Sequence, residues 1–165
     1  MKIYVDFDGV IFDSEKLLFE EYKKLKNQNE SLKIKYIQEK DWEELLSKCN
    51  VINNGIEILK SLRKDISILT KVFSMENEGV AKIKILRSMG IYNDVILSPG
   101  HLKKTDVVSA KGNVLIDDTV HNLDDWILAG GLPIYFNKDN CNIDGWNNKN
   151  KVYRMTNSLE IIRKL

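Results

Sequence analysis

Five short apolar runs rich in β-branched residues recur along the chain, at residues 2–7, 66–70, 94–97, 113–117 and 132–136, and helical patterns separate the last four. Runs of this length, apolar throughout, read as strands buried on both faces, the environment of a parallel sheet. Strands alternating with helices then require right-handed crossovers that lay helices over the sheet. The expected fold is therefore α/β: a Rossmann-like parallel sheet with helices on both faces. The pattern at 76–89 places Val80, Ile83, Leu86 and Met89 on one side and stops at Gly90; that at 120–129 carries Leu123, Trp126 and Ile127 and stops at Gly130-Gly131. A further short strand is expected near 152–155, a helix from Ser158, and a loop through the Asn-rich stretch 137–150.

One interval breaks the rhythm. From Asp13 to about Asp65 no strand pattern occurs, while helical patterns appear at 14–29 (Leu18, Tyr22, Leu25), around 38–48 and at 54–64. That is far longer than the roughly 6 residues of an ordinary connection. We read residues 13–65 as a small helical cap inserted after the first strand, and 1–12 with 66–165 as the core. Within the cap, Trp42 and Tyr36 either meet a ligand or fill the cap's interior, the second being the commoner use of a large aromatic.

Composition narrows the functional classes. With 25 Lys+Arg against 24 Asp+Glu in 165 residues, a formal net charge of +1 offers no field for a nucleic-acid polymer or an anionic membrane. No stretch approaches the roughly 20 apolar residues of a membrane span. Cys49 and Cys141 lie too far apart for a zinc knuckle or a redox dithiol. A cytoplasmic protein, monomeric or homodimeric, is the expectation.

The residues that carry chemistry stand at strand ends. Asp6 and Asp8 follow the first strand and, two apart, share a face; Asp117 and Asp118 close the run at 113–117. Carboxyl ends of parallel strands border the crevice where open α/β sheets bind ligands. Carboxylates gathered there repel one another and call for a hard cation, and oxygen-only ligation suits Mg²⁺. His101 and His121 have no nucleophile partner in sequence and carry no assignment.

These residues resemble, in order, the four motifs of haloacid dehalogenase-like phosphatases. Asp6-Phe7-Asp8-Gly9-Val10 matches the first; Ile66 to Thr70 matches the second; a lysine before the fourth strand, Lys104 rather than Lys103 or Lys111, matches the third; and Gly112 to Asp118, with Asn113 where many relatives have Asp, matches the fourth. Lys104-Thr105, Val107-Val108 and the stretch Asn122 to Gly131 are similar to the 5'(3')-deoxyribonucleotidase branch, although Thr119 stands where that branch commonly has Arg. The resemblance implies a Mg²⁺-dependent phosphomonoesterase. In it Asp6 is the nucleophile and Asp8 the general acid and base, and Thr70 and Lys104 bind phosphate. Asp6, the Asp8 carbonyl and Asp118 hold the metal directly, and Asp117 does so through water. The implied substrate is a small phosphorylated molecule, a deoxyribonucleoside monophosphate foremost. A sugar-phosphate phosphatase and a non-catalytic phosphoryl-binding module are the alternatives, the second disfavoured by an intact Asp8.

Overall fold

The structure, a computed structural model, describes residues 1–24, 29–62, 64–139, 146–148 and 151–165. Its centre is a seven-stranded sheet. In chain order the strands are β1 (Ile3–Val5), β2 (Ile66–Val72), β3 (Asp94–Pro99), β4 (Val114–Asp117), β5 (Leu132–Phe136), β6 (Trp146–Asn148) and β7 (Lys151–Thr156). In space they run β3-β2-β1-β4-β5-β7-β6. Every pairing is parallel except that of β6 with β7. Because side chains alternate along a strand, the sheet divides its apolar residues between two layers. Ile3, Val5, Ile68 and Ile116 enter the larger core cluster, whereas Tyr4, Leu69 and Leu115 face Leu123 and Trp126 in the smaller. Both faces are thus covered, as the apolar runs require.

The helices are α1 (Ser14–Tyr22), α2 (Glu30–Glu39), α3 (Trp42–Ser47), α4 (Gly55–Ser61), α5 (Val80–Ser88), α6 (Lys104–Val107) and α7 (Val120–Leu128). Helices α1 to α3 fall within the interval 13–65 expected as a cap, and α1 packs against both α2 and α3. The chain leaves and rejoins the core where Phe12 bridges Val51 and the Asp13 N–H donates to the Asn50 carbonyl. Helix α4 then packs with the core, Gly55 lying close to Leu159 and Ile11, before the crossover into β2.

Local chemistry redraws several expected boundaries. The pattern around 38–48 is two helices: Lys40 is extended, and the Asp41 carboxylate caps α3 by accepting from the Glu44 N–H at 2.9 Å. The helix expected over 76–89 begins instead with a π-helical turn, Met75–Gly79, before α5. A π turn holds more residues than an α turn and so shifts the buried face. Val80 is consequently exposed, and Ala81, Lys82 and Leu86 are the buried residues of α5. The segment after Ser158 is a 3-10 helix, Leu159–Lys164. Trp146–Asn148, expected as loop, is strand β6; the rest of that stretch from 140 on, Cys141 included, and Leu25 lie outside the described residues.

Candidate active site

Strand β1 is central, with β2 on one side and β4 on the other, so the order reverses there. Such a reversal leaves a crevice beyond the carboxyl ends of the strands. Asp6 is the first residue past β1, and its N–H still bonds the Ile116 carbonyl at 2.9 Å, which sets it beside Asp117 at the end of β4. Oxygens of Asp6, Asp117 and Asp118 lie within 4.8 Å of one another. Gly9 makes this approach possible. Its φ is +71°, and a β-carbon built on it would stand 1.9 Å from Asp118 Oδ2, so any side chain there would displace that acid.

Two buried lysines divide the acids between them. Lys104, at the start of α6, places Nζ 2.6 Å from Asp117 Oδ2 and 2.7 Å from Asp6 Oδ1. Asp117 is further held by the Thr119 N–H at 2.8 Å and the Asn122 amide at 3.1 Å. Lys82 serves Asp8: Nζ is 2.5 Å from Asp8 Oδ2, and the Ser14 hydroxyl donates to Asp8 Oδ1 at 2.5 Å. Asp118, by contrast, has only the Thr119 hydroxyl, 3.3 Å from Oδ1, among the described contacts.

The charge balance at the acid cluster is therefore incomplete. Burial, and then the charges of Asp6 and Asp117, push the Asp118 carboxyl up to about 9. Burial pushes Asp6 up to about 7 against the pull of Lys104, with Asp117 and Asp8 adding to the rise. Although Asp6 Oδ1 lies near Lys104, that buried oxygen receives no well-directed hydrogen bond. An all-oxygen donor set with a surplus of negative charge and an unsatisfied buried carboxylate oxygen fits a hard divalent cation such as Mg²⁺. Asp6 and Asp118 have oxygen free for it, while Asp117 is engaged by Lys104 and Asn122.

Above the strand ends lies a cavity of about 280 Å³. Asp6, Asp8, Lys104, Thr119 and Asn122 form its floor, Leu18, Phe19, Ile34, Ile37 and Trp42 its cap side, and Lys71 and Phe73 belong to its wall. Tyr36 does not line it; its hydroxyl donates to Glu21 Oε2 at 3.1 Å inside the cap. Trp42 does both jobs open to it: it is 2 % exposed, donates to the Ile37 carbonyl and also borders the cavity.

The six expected site residues fall in two adjoining groups: Asp6, Asp117 and Asp118 with Lys104, and Asp8 and Thr70 on Lys82. Lys103 is exposed and pairs with Asp125, whereas Lys104 reaches Asp6 and Asp117. Thr70 is fully buried and does not reach the cavity; its hydroxyl accepts from Lys82 at 3.1 Å and lies 3.3 Å from Asp8. The Asp8 carboxylate stands apart from the three-acid cluster. Sequence reasoning missed Lys82, Glu78 and Ser14. The available signal was Glu78 and Lys82 at i, i+4 with apolar residues around Lys82, a spacing that ordinarily marks an exposed pair on a helix.

No protein-family model matches the chain, and no curated protein does. Solved structures match over nearly the full length. A HAD-superfamily hydrolase of subfamily IA, variant 1, from Geobacter sulfurreducens superposes with a TM-score of 0.63 at 16% identity, covering 99% of this chain and 98% of that one. A HAD-superfamily hydrolase from Ehrlichia chaffeensis gives 0.57 at 16%, covering 99% and 94%. The D,D-heptose 1,7-bisphosphate phosphatase from Burkholderia thailandensis gives 0.51 at 12%, covering 98% and 96%. The parallel sheet with its helices therefore has the fold of HAD-superfamily hydrolases. Among the described residues no helix is long and apolar enough to cross a membrane.

Proposed function

We propose that the protein is a Mg²⁺-dependent phosphomonoester hydrolase working through an aspartyl-phosphate on Asp6. One observation carries the reading: two neighbouring carboxylates at one strand end have different partners. Asp6 clusters with Asp117, Asp118 and Lys104, whereas Asp8 is held by Ser14 and Lys82. A nucleophile and a proton carrier need such separate environments.

In the first half-reaction an Asp6 oxygen forms a bond to phosphorus, the bond to the leaving oxygen breaks, and Asp8 gives that oxygen its proton. In the second, water adds to phosphorus and passes a proton to Asp8. The Asp6–phosphorus bond breaks and inorganic phosphate leaves. Lys104 neutralises Asp6 and offers charge to the equatorial oxygens. Mg²⁺ held by Asp6, Asp118 and the Asp8 carbonyl would supply the remaining positive charge.

For substrate we propose a nucleoside monophosphate, deoxy forms included, over a sugar phosphate. The cavity's cap side sets Phe19, Ile34 and Ile37 beside the charged Glu15, Glu30 and Lys33, and Phe73 borders the same space. Its aromatic part, Phe19 with Phe73, offers a face to a flat base, and the charged residues offer partners to its polar edge. Thr119 in place of an Arg leaves one cationic contact out. The test is phosphate release from 4-nitrophenyl phosphate and from a panel of nucleoside and hexose monophosphates, with and without Mg²⁺. We expect EDTA to abolish release and nucleotides to lead the panel. Release that survives EDTA removes the metal assignment, and a hexose phosphate preferred more than about tenfold, roughly 1.4 kcal/mol, removes the nucleotide one.

A further inference from the structure

Lys82 is a cation in an expensive place. Its residue is 0 % exposed, and burying a charge is costly unless every proton of the ammonium is used. All are: Nζ lies 2.5 Å from Asp8 Oδ2, 2.7 Å from Glu78 Oε1, and 3.1 Å from both Thr70 Oγ1 and the Lys71 carbonyl. Aromatic rings close in as well, with Phe7 of the first motif at 5.3 Å and Trp42 of the cap at 5.2 Å from ammonium to ring centre. Glu78 is itself fixed, accepting from the Phe73 N–H at 2.8 Å, and it reaches Lys82 because the π-helical turn runs into α5. The arrangement joins four parts of the chain, from the first motif, β2, α5 and the cap, at the one carboxylate that the proposed reaction uses for proton transfer.

Resting on the phosphatase reading, we infer that Lys82, seated by Glu78 and Trp42, is the positioning residue for Asp8, holding one carboxylate oxygen so that the other, next to Ser14, is presented to the leaving group. Lys104 has no part in this, since its contacts are Asp6 and Asp117. The two lysines therefore act on different half-tasks. Lys104 serves nucleophilic attack and Lys82 serves proton transfer.

The test exploits leaving groups. Departure of 4-nitrophenolate needs no proton, whereas an alkyl oxygen does, and a well-placed general acid is worth about 10²–10⁴-fold. The variant is Lys82→Met with Glu78→Gln, which avoids leaving a buried glutamate unpaired and keeps an acceptor for the Phe73 N–H. Single-turnover formation of the phosphorylated enzyme is measured with 4-nitrophenyl phosphate and with whichever alkyl phosphate of the panel the wild type uses fastest. We expect the alkyl rate to fall at least about a hundredfold and the aryl rate less than about threefold, while Lys104→Met depresses both. Equal losses on the two esters, or none, overturn the inference. A crystal structure of the double variant supplies a readout independent of activity: Asp8 should leave its wild-type rotamer, and finding it unmoved against Ser14 also overturns the inference. If the wild type hydrolyses neither ester, the phosphatase reading falls, and the position of Asp8 alone decides the role of Lys82.

Discussion

At the scale of single residues, the acid cluster is stable only when something offsets its charge. Asp6 and Asp118 have folded pKa values of about 7 and about 9, against 3.8 for an ordinary aspartate. A raised folded value means that the stabilising contribution is complete below about pH 4 and is lost as pH rises through the folded value. The metal-free protein should therefore melt at progressively lower temperature between about pH 5 and pH 9. If the proposed site holds Mg²⁺, the ion should bind the folded cluster alone and raise the melting temperature most at the alkaline end of that range. Asp118→Asn should flatten the metal-free profile and cancel most of the Mg²⁺ effect. Differential scanning fluorimetry across pH, with and without metal, decides the matter; an unchanged Mg²⁺ response in the variant would place the ion elsewhere. These acids were legible in the sequence because each sits directly behind a run that can only be a buried strand. Lys82 was not, because a lysine inside a helical pattern reads as solvated until the π turn shifts it inward.

Secondary-structure elements differ in how well local signals specify them. The strands of the parallel sheet were legible because burial on both faces leaves an unbroken apolar run, and the fold follows from their alternation with helices. The cap was less so, since the break between α2 and α3 depends on a single competing cap at Asp41, and the π turn has no periodicity of its own. A polar cluster adds to the apolar packing of Leu18, Ile37 and Trp42 in joining α1 to the α2–α3 corner: Lys40 Nζ lies 2.5 Å from Glu21 Oε2, to which the Tyr36 hydroxyl also donates. Its hydrogen bond from Lys40, against some burial, keeps the Glu21 carboxyl below its usual value of 4.5. A depressed carboxylate contributes stability above the unfolded pKa and loses it as pH falls through the folded one. Lys40→Met should therefore cost about 0.5–1 kcal/mol at pH 7 and next to nothing near pH 3, read by urea unfolding at the two pH values. An equal cost at both would assign the lysine's effect to the packing of its methylenes.

For the whole molecule, cap and sheet divide the labour of the proposed reaction. The sheet supplies Asp6, Asp8 and Asp118 just past strand ends whose register is fixed by β1 pairing with β2 and β4, and α6 supplies Lys104. The cap is fastened over them by the Asn77 amide, which donates to the carbonyls of Gln38 and Lys40, and by Gln38 donating to the Phe73 carbonyl. A cap tied down in this way excludes water; apart from Ser14 and Trp42, which touch Asp8 and Lys82, its cavity face contributes walls. Substitutions in its cavity face should consequently change substrate binding and spare the phosphoryl step. Phe19→Ala removes an aromatic wall, and losing about 1 kcal/mol of partial burial raises KM for a nucleoside monophosphate about fivefold. Turnover of 4-nitrophenyl phosphate should stay within about twofold. Tyr36→Phe, whose ring lies off the cavity, should leave the KM of both substrates unchanged. If Phe19→Ala instead lowers kcat on both esters alike, the cap acts on the placement of the acids themselves, and the division between wall and chemistry is wrong.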